Sequence, residues 1–100
     1  MPAAQLTQQG AGHYSVTGEL SFATATQLLQ QSHALFAGAA DIEIDLAGVT
    51  HADSAGLSLL IEWLRQAKLH AAQLRYHALP AQLQALANIS EVEGLLSHSA

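Results

Sequence analysis

Six residues, Asp41-Ile42-Glu43-Ile44-Asp45-Leu46, alternate acid and aliphatic without a break. In an extended chain successive side chains point to opposite faces, so Ile42, Ile44 and Leu46 share one face and the three carboxylates share the other. A helix would scatter both sets around its circumference. The segment therefore reads as a strand with one dry and one wet face. Such a strand belongs in a sheet that helices cover on one side and water wets on the other. The rest of the chain must supply the neighbouring strands and the covering helices.

Both are legible. Gln5–Gln8 and His13–Thr17 alternate weakly around Gly10-Ala11-Gly12, the pattern of two short strands joined by a glycine turn, and the second ends at Gly18-Glu19-Leu20. Ser21 has the chemistry of an N-cap for a helix from Phe22 to Phe36. On that helix Ala25, Leu28, Leu29, Ser32, Leu35 and Phe36 share a face, and Gly38 stands just past its end. After Gly48-Val49-Thr50-His51-Ala52 a longer helix is expected over Ser54–His70. Its core stripe is drawn through Leu57, Leu60, Ile61, Leu64 and the stem of Lys68, with Arg65, Lys68 and His70 towards the end where cations suit the dipole. Leu74, Tyr76 and Ala78 alternate as a last strand. Pro80 opens a further helix with Leu83, Leu86 and Ala87 on its buried side, and Ser90-Glu91-Val92-Glu93 has capping-box spacing for a final turn through Leu96. The order ββαβαβα, with one more short helix, implies an α/β fold. A sheet of about four strands, mixed in direction, carries its helices mainly on one face, and residues 1–100 form a single domain.

Composition narrows the function. The net charge is −5 and Arg65, Lys68 and Arg75 are the only Lys or Arg residues, too few to neutralise a phosphate backbone or grip an anionic membrane. Without cysteine there is no disulfide, thiolate metal site or thiol nucleophile. No apolar run approaches the roughly 20 residues of a membrane span. Met1-Pro2-Ala3-Ala4-Gln5 has neither the basic nor the apolar region of a signal peptide, so a cytoplasmic protein without membrane insertion is expected.

Catalytic and metal patterns are also missing. No two of His13, His33, His51, His70, His77 and His98 are three or four apart, so none form a helical metal pair. Asp41, Glu43 and Asp45 are accounted for by the wet face of their strand. There is no G-x-S-x-G elbow and no Gly-Lys phosphate loop. Ser54, His51 and Asp53 lie too close together in the chain to assemble a catalytic triad. The expectation is no cofactor, no metal and no enzyme activity.

The informative segment is Val49-Thr50-His51-Ala52-Asp53-Ser54-Ala55-Gly56-Leu57, where a strand passes into an apolar helix. Asp53 caps the helix and Ser54 enters its first turn, where unpaired N–H groups and the positive dipole end would favour a phosphate on the hydroxyl. Ala55 and Gly56 would keep the surface low for a partner's backbone. An ordinary capped helix start accounts for the same residues. With Leu57, Leu60, Ile61 and Leu64 turned inward, Leu59 and Trp63 fall together on the far side of the helix, an expected exposed docking pair.

Thr17-Gly18-Glu19-Leu20, Ile44-Asp45-Leu46-Ala47-Gly48-Val49 and Asp53-Ser54-Ala55-Gly56-Leu57 resemble the STAS domain of sulfate transporters and anti-sigma factor antagonists, in order and spacing over nearly the whole chain. Two branches of that family are similar. In antagonists the Ser after the Asp is phosphorylated by an anti-sigma factor kinase, which implies Ser54 as acceptor. In the small STAS subunit of the Mla phospholipid transporter the same turn contacts the ABC ATPase that maintains outer-membrane lipid asymmetry. Leu57 through Ala67, Leu79-Pro80-Ala81-Gln82-Leu83, and Val92-Glu93-Gly94-Leu95-Leu96 resemble the second branch. Ser21 stands where antagonists usually carry Asp after Gly-Glu-Leu. The resemblance implies a non-catalytic adaptor that docks on an ABC ATPase through Asp53, Ser54, Ala55, Gly56, Ser58, Leu59 and Trp63, the antagonist role being the alternative.

Overall fold

A computed structural model describes residues 3–84. Strand β1 (Ala4–Gly10) and strand β2 (His13–Leu20) form an antiparallel hairpin. Gly12 turns the chain at φ +74°, and a Cβ there would meet the Asp41 carbonyl oxygen, so both the turn and the neighbouring strand require glycine. Helix α1 (Ala25–Leu35) leads to strand β3 (Asp41–Ala52), and helix α2 (Ser54–Leu69) leads to strand β4 (Gln73–His77). The sheet order is β1-β2-β3-β4, with β2–β3 and β3–β4 parallel. The mixed four-stranded sheet expected from the sequence is the one observed.

Alternation sets the layers. Leu6, Tyr14, Val16, Leu20, Ile42, Ile44, Leu46 and Leu74 point to one face and are buried there with Leu28, Leu57, Leu59, Leu60 and Trp63 of the helices. On the other face Gln5, Gln9, His13, Thr17, Asp41, Asp45 and His77 are exposed, and no described element covers them. Glu43 sits there between two imidazoles, 3.2 Å from His13 Nδ1 and 3.0 Å from His77 Nε2. The hydrogen bond from His77, and secondarily the charges of His13, Arg75 and His77, hold its carboxyl below the usual range despite some desolvation. Two tyrosines tie sheet to helices. The Tyr14 hydroxyl donates to the Leu35 carbonyl at the end of α1 (2.8 Å), and the Tyr76 hydroxyl donates to the Leu60 carbonyl of α2 (2.7 Å). Burial pushes the Tyr76 phenol well above its ordinary value.

Several boundaries differ from the sequence reading, three of them informatively. β3 runs on to Ala52 instead of stopping at Leu46, because Gly48, Val49, His51 and Ala52 still pair with Thr17–Leu20 of β2, across register shifts between Ser15 and Thr17 and between Gly18 and Glu19. The burial alternation that marks its first half is lost there. β4 ends at His77, one residue before Ala78, which turns away at φ +58°. The first helix begins at Ala25, not Phe22. Ser21 is not its N-cap: its hydroxyl donates to Glu19 Oε2, and its N–H donates to Thr24 Oγ1 (3.1 Å). The Ser21 carbonyl accepts from Thr24 N and Ala25 N, closing a tight turn over 22–24 that turns Phe22 out to 84% exposure. Past Pro80 a helical turn at 81–84 buries Leu83, and Gln82 Oε1 accepts from Ala52 N. The expectations on Leu86, Ala87, the Ser90–Glu93 capping box and Leu96 lie outside the described residues.

Candidate docking surface

The junction between β3 and α2 is built around Asp53. The carboxylate accepts from the N–H groups of Ala55 (2.9 Å) and Gly56 (3.1 Å) through Oδ1, and from Phe22 N–H (3.2 Å) through Oδ2. One side chain thus caps α2 and pins the turn that precedes α1, fixing both helix starts relative to the end of the sheet. Partial burial works to raise its pKa, but the three N–H groups outweigh that and hold it below its ordinary value.

Gly56 lies against the end of β2. A Cβ added there would sit inside the Leu20 carbonyl oxygen and 2.8 Å from the carbonyl carbon. Its smallness therefore serves the packing of α2 on the sheet, and it is buried. The expectation that it lowers the outer surface for a partner is corrected.

The larger correction concerns Leu59 and Trp63, which are 4% and 1% exposed and form no outward patch. α2 packs on α1 as well as on the sheet, so its buried stripe runs through Gly56, Leu57, Leu59, Leu60, Trp63 and Ala67, and Ile61 and Leu64 are only half-buried. The wheel drawn from the sequence alone centred the stripe on the wrong side of Leu60. Trp63 Nε1 donates to Ser32 Oγ (2.9 Å), and Ser32 Oγ donates to the Leu29 carbonyl, so the indole is satisfied inside the core. Phe36 meets its ring edge-to-face at 5.7 Å. Ser32 on the apolar face of α1 was the signal for this, a buried acceptor awaiting the chain's single tryptophan.

Of the expected contact residues, Ser54 and Ser58 are exposed, Asp53 and Ala55 half-buried. The Ser58 hydroxyl donates to the Ser54 carbonyl (3.1 Å). Beside them a shallow depression of about 320 Å³ runs between the N-terminal halves of α1 and α2, walled by Ala25, Thr26 and Leu29 on one side and Ala55, Ser58 and Glu62 on the other, with Leu59 beneath. Bonds from Arg65 (2.6 and 2.8 Å) and Gln66 draw the Glu62 carboxyl down to a pKa of about 2, so it stands there as a fixed anion. Phe22, which the sequence reading placed within a helix, is a large exposed apolar ring in the turn that Asp53 pins.

The same geometry bears on phosphorylation. The first-turn N–H groups of Ala55 and Gly56 are already engaged by Asp53, so a phosphate on Ser54 would face a carboxylate where the sequence suggested vacant donors. Among the described residues no hydrogen bond joins Ser54 to His51, and no cluster of three His, Asp or Glu side chains is arranged to hold a metal ion.

The chain matches the family model described as "Mlab, STAS domain" over residues 4–97. A search of curated proteins finds no match. Among solved structures it is similar to the anti-sigma factor antagonist SpoIIAA in its unphosphorylated form, at 20% identity and TM-score 0.71 over 94% of this chain and 85% of that one. The phosphorylated SpoIIAA of Bacillus gives 20% identity and TM-score 0.69 over 94% and 88%. A sulfate transporter family protein from Wolinella succinogenes gives 16% identity and TM-score 0.69 over 93% and 76%. At these identities the solved structures establish the fold, and the family model extends across nearly the whole sequence: the chain belongs to the STAS domain family.

Proposed function

We propose that this chain is a non-catalytic adaptor that docks on the ATPase of an ABC-type phospholipid transporter at the cytoplasmic side of the membrane and supports its activity. The observation that carries the reading is the exposed junction itself. Ser58 and Ala55 line a shallow apolar depression one turn or less from the exposed Ser54, and Asp53 caps that helix while holding the turn that exposes Phe22. A large exposed apolar ring held by the same carboxylate that caps α2 suits protein contact. The family description, which names the Mlab branch, supports the choice of an ABC ATPase as partner.

The test is co-expression with the ATPase of an ABC-type phospholipid transporter from the same cell, followed by affinity purification. Phe22→Ala and Ser54→Arg, both at exposed positions, should abolish co-purification and leave the melting temperature unchanged. If both variants co-purify like wild type, the surface is wrong.

A switch at Ser54 is the second reading, favoured by the exposed hydroxyl and by the fold shared with SpoIIAA, which is known in both phosphorylated and unphosphorylated forms. The carboxylate of Asp53 at the first-turn donors weighs against it. Intact-mass measurement of protein from its native cell separates the two. A phosphate adduct absent from Ser54→Ala supports the switch, and an unmodified chain in every growth phase supports contact alone.

A further inference from the structure

Asp53 answers three donors with two oxygens. Oδ1 accepts from Ala55 N–H (2.9 Å) and Gly56 N–H (3.1 Å), and Oδ2 accepts from Phe22 N–H (3.2 Å). The two sets of donors belong to different parts of the contact surface. Ala55 and Gly56 follow Ser54 in the first turn of α2, whereas Phe22 stands in the turn before α1. The ends of that turn are secured elsewhere. Ser21 Oγ donates to Glu19 Oε2 (2.8 Å), Ser21 N–H donates to Thr24 Oγ1 (3.1 Å), and Thr24 Oγ1 donates to the Glu19 carbonyl (2.8 Å). Phe22 and Ala23 between them are exposed, and the bond to Asp53 ties the middle of the turn to the start of α2.

Ser54 is the first residue of α2 and is exposed. A phosphate on its hydroxyl would bring about −1.5 to −2 charges and three acceptor oxygens to the N–H groups that Asp53 holds. The carboxylate has one oxygen to set against them, and like-charge repulsion drives it away from the donors. Both carboxylate oxygens belong to one planar group, so a movement that takes Oδ1 off Ala55 and Gly56 also carries Oδ2 off Phe22. We propose that a negative charge on residue 54 is transmitted through Asp53 to Phe22 and releases the exposed ring from its fixed presentation. The importance of the ring to a partner rests on the docking reading above, and the coupling between the two positions does not. A charge at Ser54 thereby acts on a partner at two points, at its own position and at Phe22.

The test is the backbone order parameter of Phe22, from amide nitrogen relaxation of the full chain with Ser54 either unmodified or incorporated as phosphoserine. The Phe22 amide should pass from the rigid range, about 0.85, to below about 0.6 when the phosphate is present. Asp53→Asn supplies the second arm. Asn caps a helix as well as Asp does, but its amide has one oxygen for three donors, so the α2 cap survives and the Phe22 bond is lost. In that variant Phe22 should be loose without any phosphate, and phosphoserine at position 54 should loosen it no further. The amides of Val16 and Ile44, in the buried strands, should stay rigid throughout. A Phe22 amide that stays rigid in the phosphorylated chain or in Asp53→Asn would overturn the coupling, as would loss of order at Val16 and Ile44 together with Phe22. The measurement needs no partner, so it succeeds or fails independently of the co-purification test.

Discussion

Gly56→Ala tests the central packing claim because two general expectations point in opposite directions. In an exposed helix interior the change favours folding by about 1 kcal/mol, since glycine is the weaker helix former. Here the new Cβ would enter the Leu20 carbonyl oxygen, with the carbonyl carbon at 2.8 Å and the Leu20 Cγ at 3.0 Å, all belonging to the fully buried end of β2. Two of the three obstacles are backbone, so no side-chain rotation relieves them, and α2 must lift away from the sheet along its first turn. Overpacking of a closed core typically costs about 1–3 kcal/mol, and a clash with backbone belongs at or above the top of that range. Subtracting the propensity gain leaves a net loss of about 2 kcal/mol or more. Urea unfolding followed by circular dichroism should show a lower midpoint at an unchanged m-value. Gly10→Ala is the internal control: nothing lies within 4 Å of its Cβ and its φ is not positive, so it should stay within about 0.5 kcal/mol of wild type. A Gly56→Ala variant as stable as wild type would refute the reading of that contact and, with it, the fixed placement of the Ser54 turn.

Other measurements address the core and the charges. Trp63→Ala should lose about 3–5 kcal/mol, as expected of a buried tryptophan and not of a surface hot spot. Ser32→Ala should lose about 1–3 kcal/mol by stranding the buried indole N–H, and a shifted Trp63 emission maximum would report the same event. Tyr14→Phe removes the hydroxyl that caps the Leu35 carbonyl and should lower stability by about 0.5–1.5 kcal/mol in the same urea assay. The carboxyls of Glu43, Asp53 and Glu62 all titrate lower in the folded chain, so the stability they contribute is present above their unfolded values and is lost as pH falls through the folded ones. For Glu62 that window lies between 4.5 and about 2, and Glu62→Gln should flatten the acid limb of a melting-temperature profile there.

What the sequence disclosed and what it withheld follow from the reach of the forces involved. The first half of β3 was readable because Ile42, Ile44 and Leu46 face one continuous helical layer, and period two survives where one face is dry and the other wet. Asp53 was readable as a cap because its partners, Ala55 and Gly56, are two and three residues away. Its third bond was not, since Phe22 lies thirty-one positions earlier. The rotation of α2 about its own axis was illegible for a related reason. Leu57, Leu59, Leu60, Ile61, Trp63 and Leu64 are all apolar and span a broad arc that leaves only the side of Ser58, Glu62 and Arg65 polar, so the centre of the buried stripe is poorly marked. Only the position of α1 selects Leu59 and Trp63 over Ile61 and Leu64. Phe22 was misplaced because Ser21 looks like a cap, and its actual partners, Glu19 and Thr24, make a turn out of the same hydroxyl chemistry.

The outer face of the sheet, bare among the described residues, bears on how such a chain can drift over evolutionary time. Every second residue of four strands is released from packing, so polar substitutions at Gln5, Gln9, Thr17 or Asp45 leave the interior untouched. The positions that hold the architecture shrink to the inward-facing aliphatics, a few close-approach glycines and one capping aspartate. A lineage under those terms can replace most of its letters while retaining its shape. The sulfate transporter family protein that has this fold at 16% identity and a TM-score of 0.69 shows how few letters the shape requires.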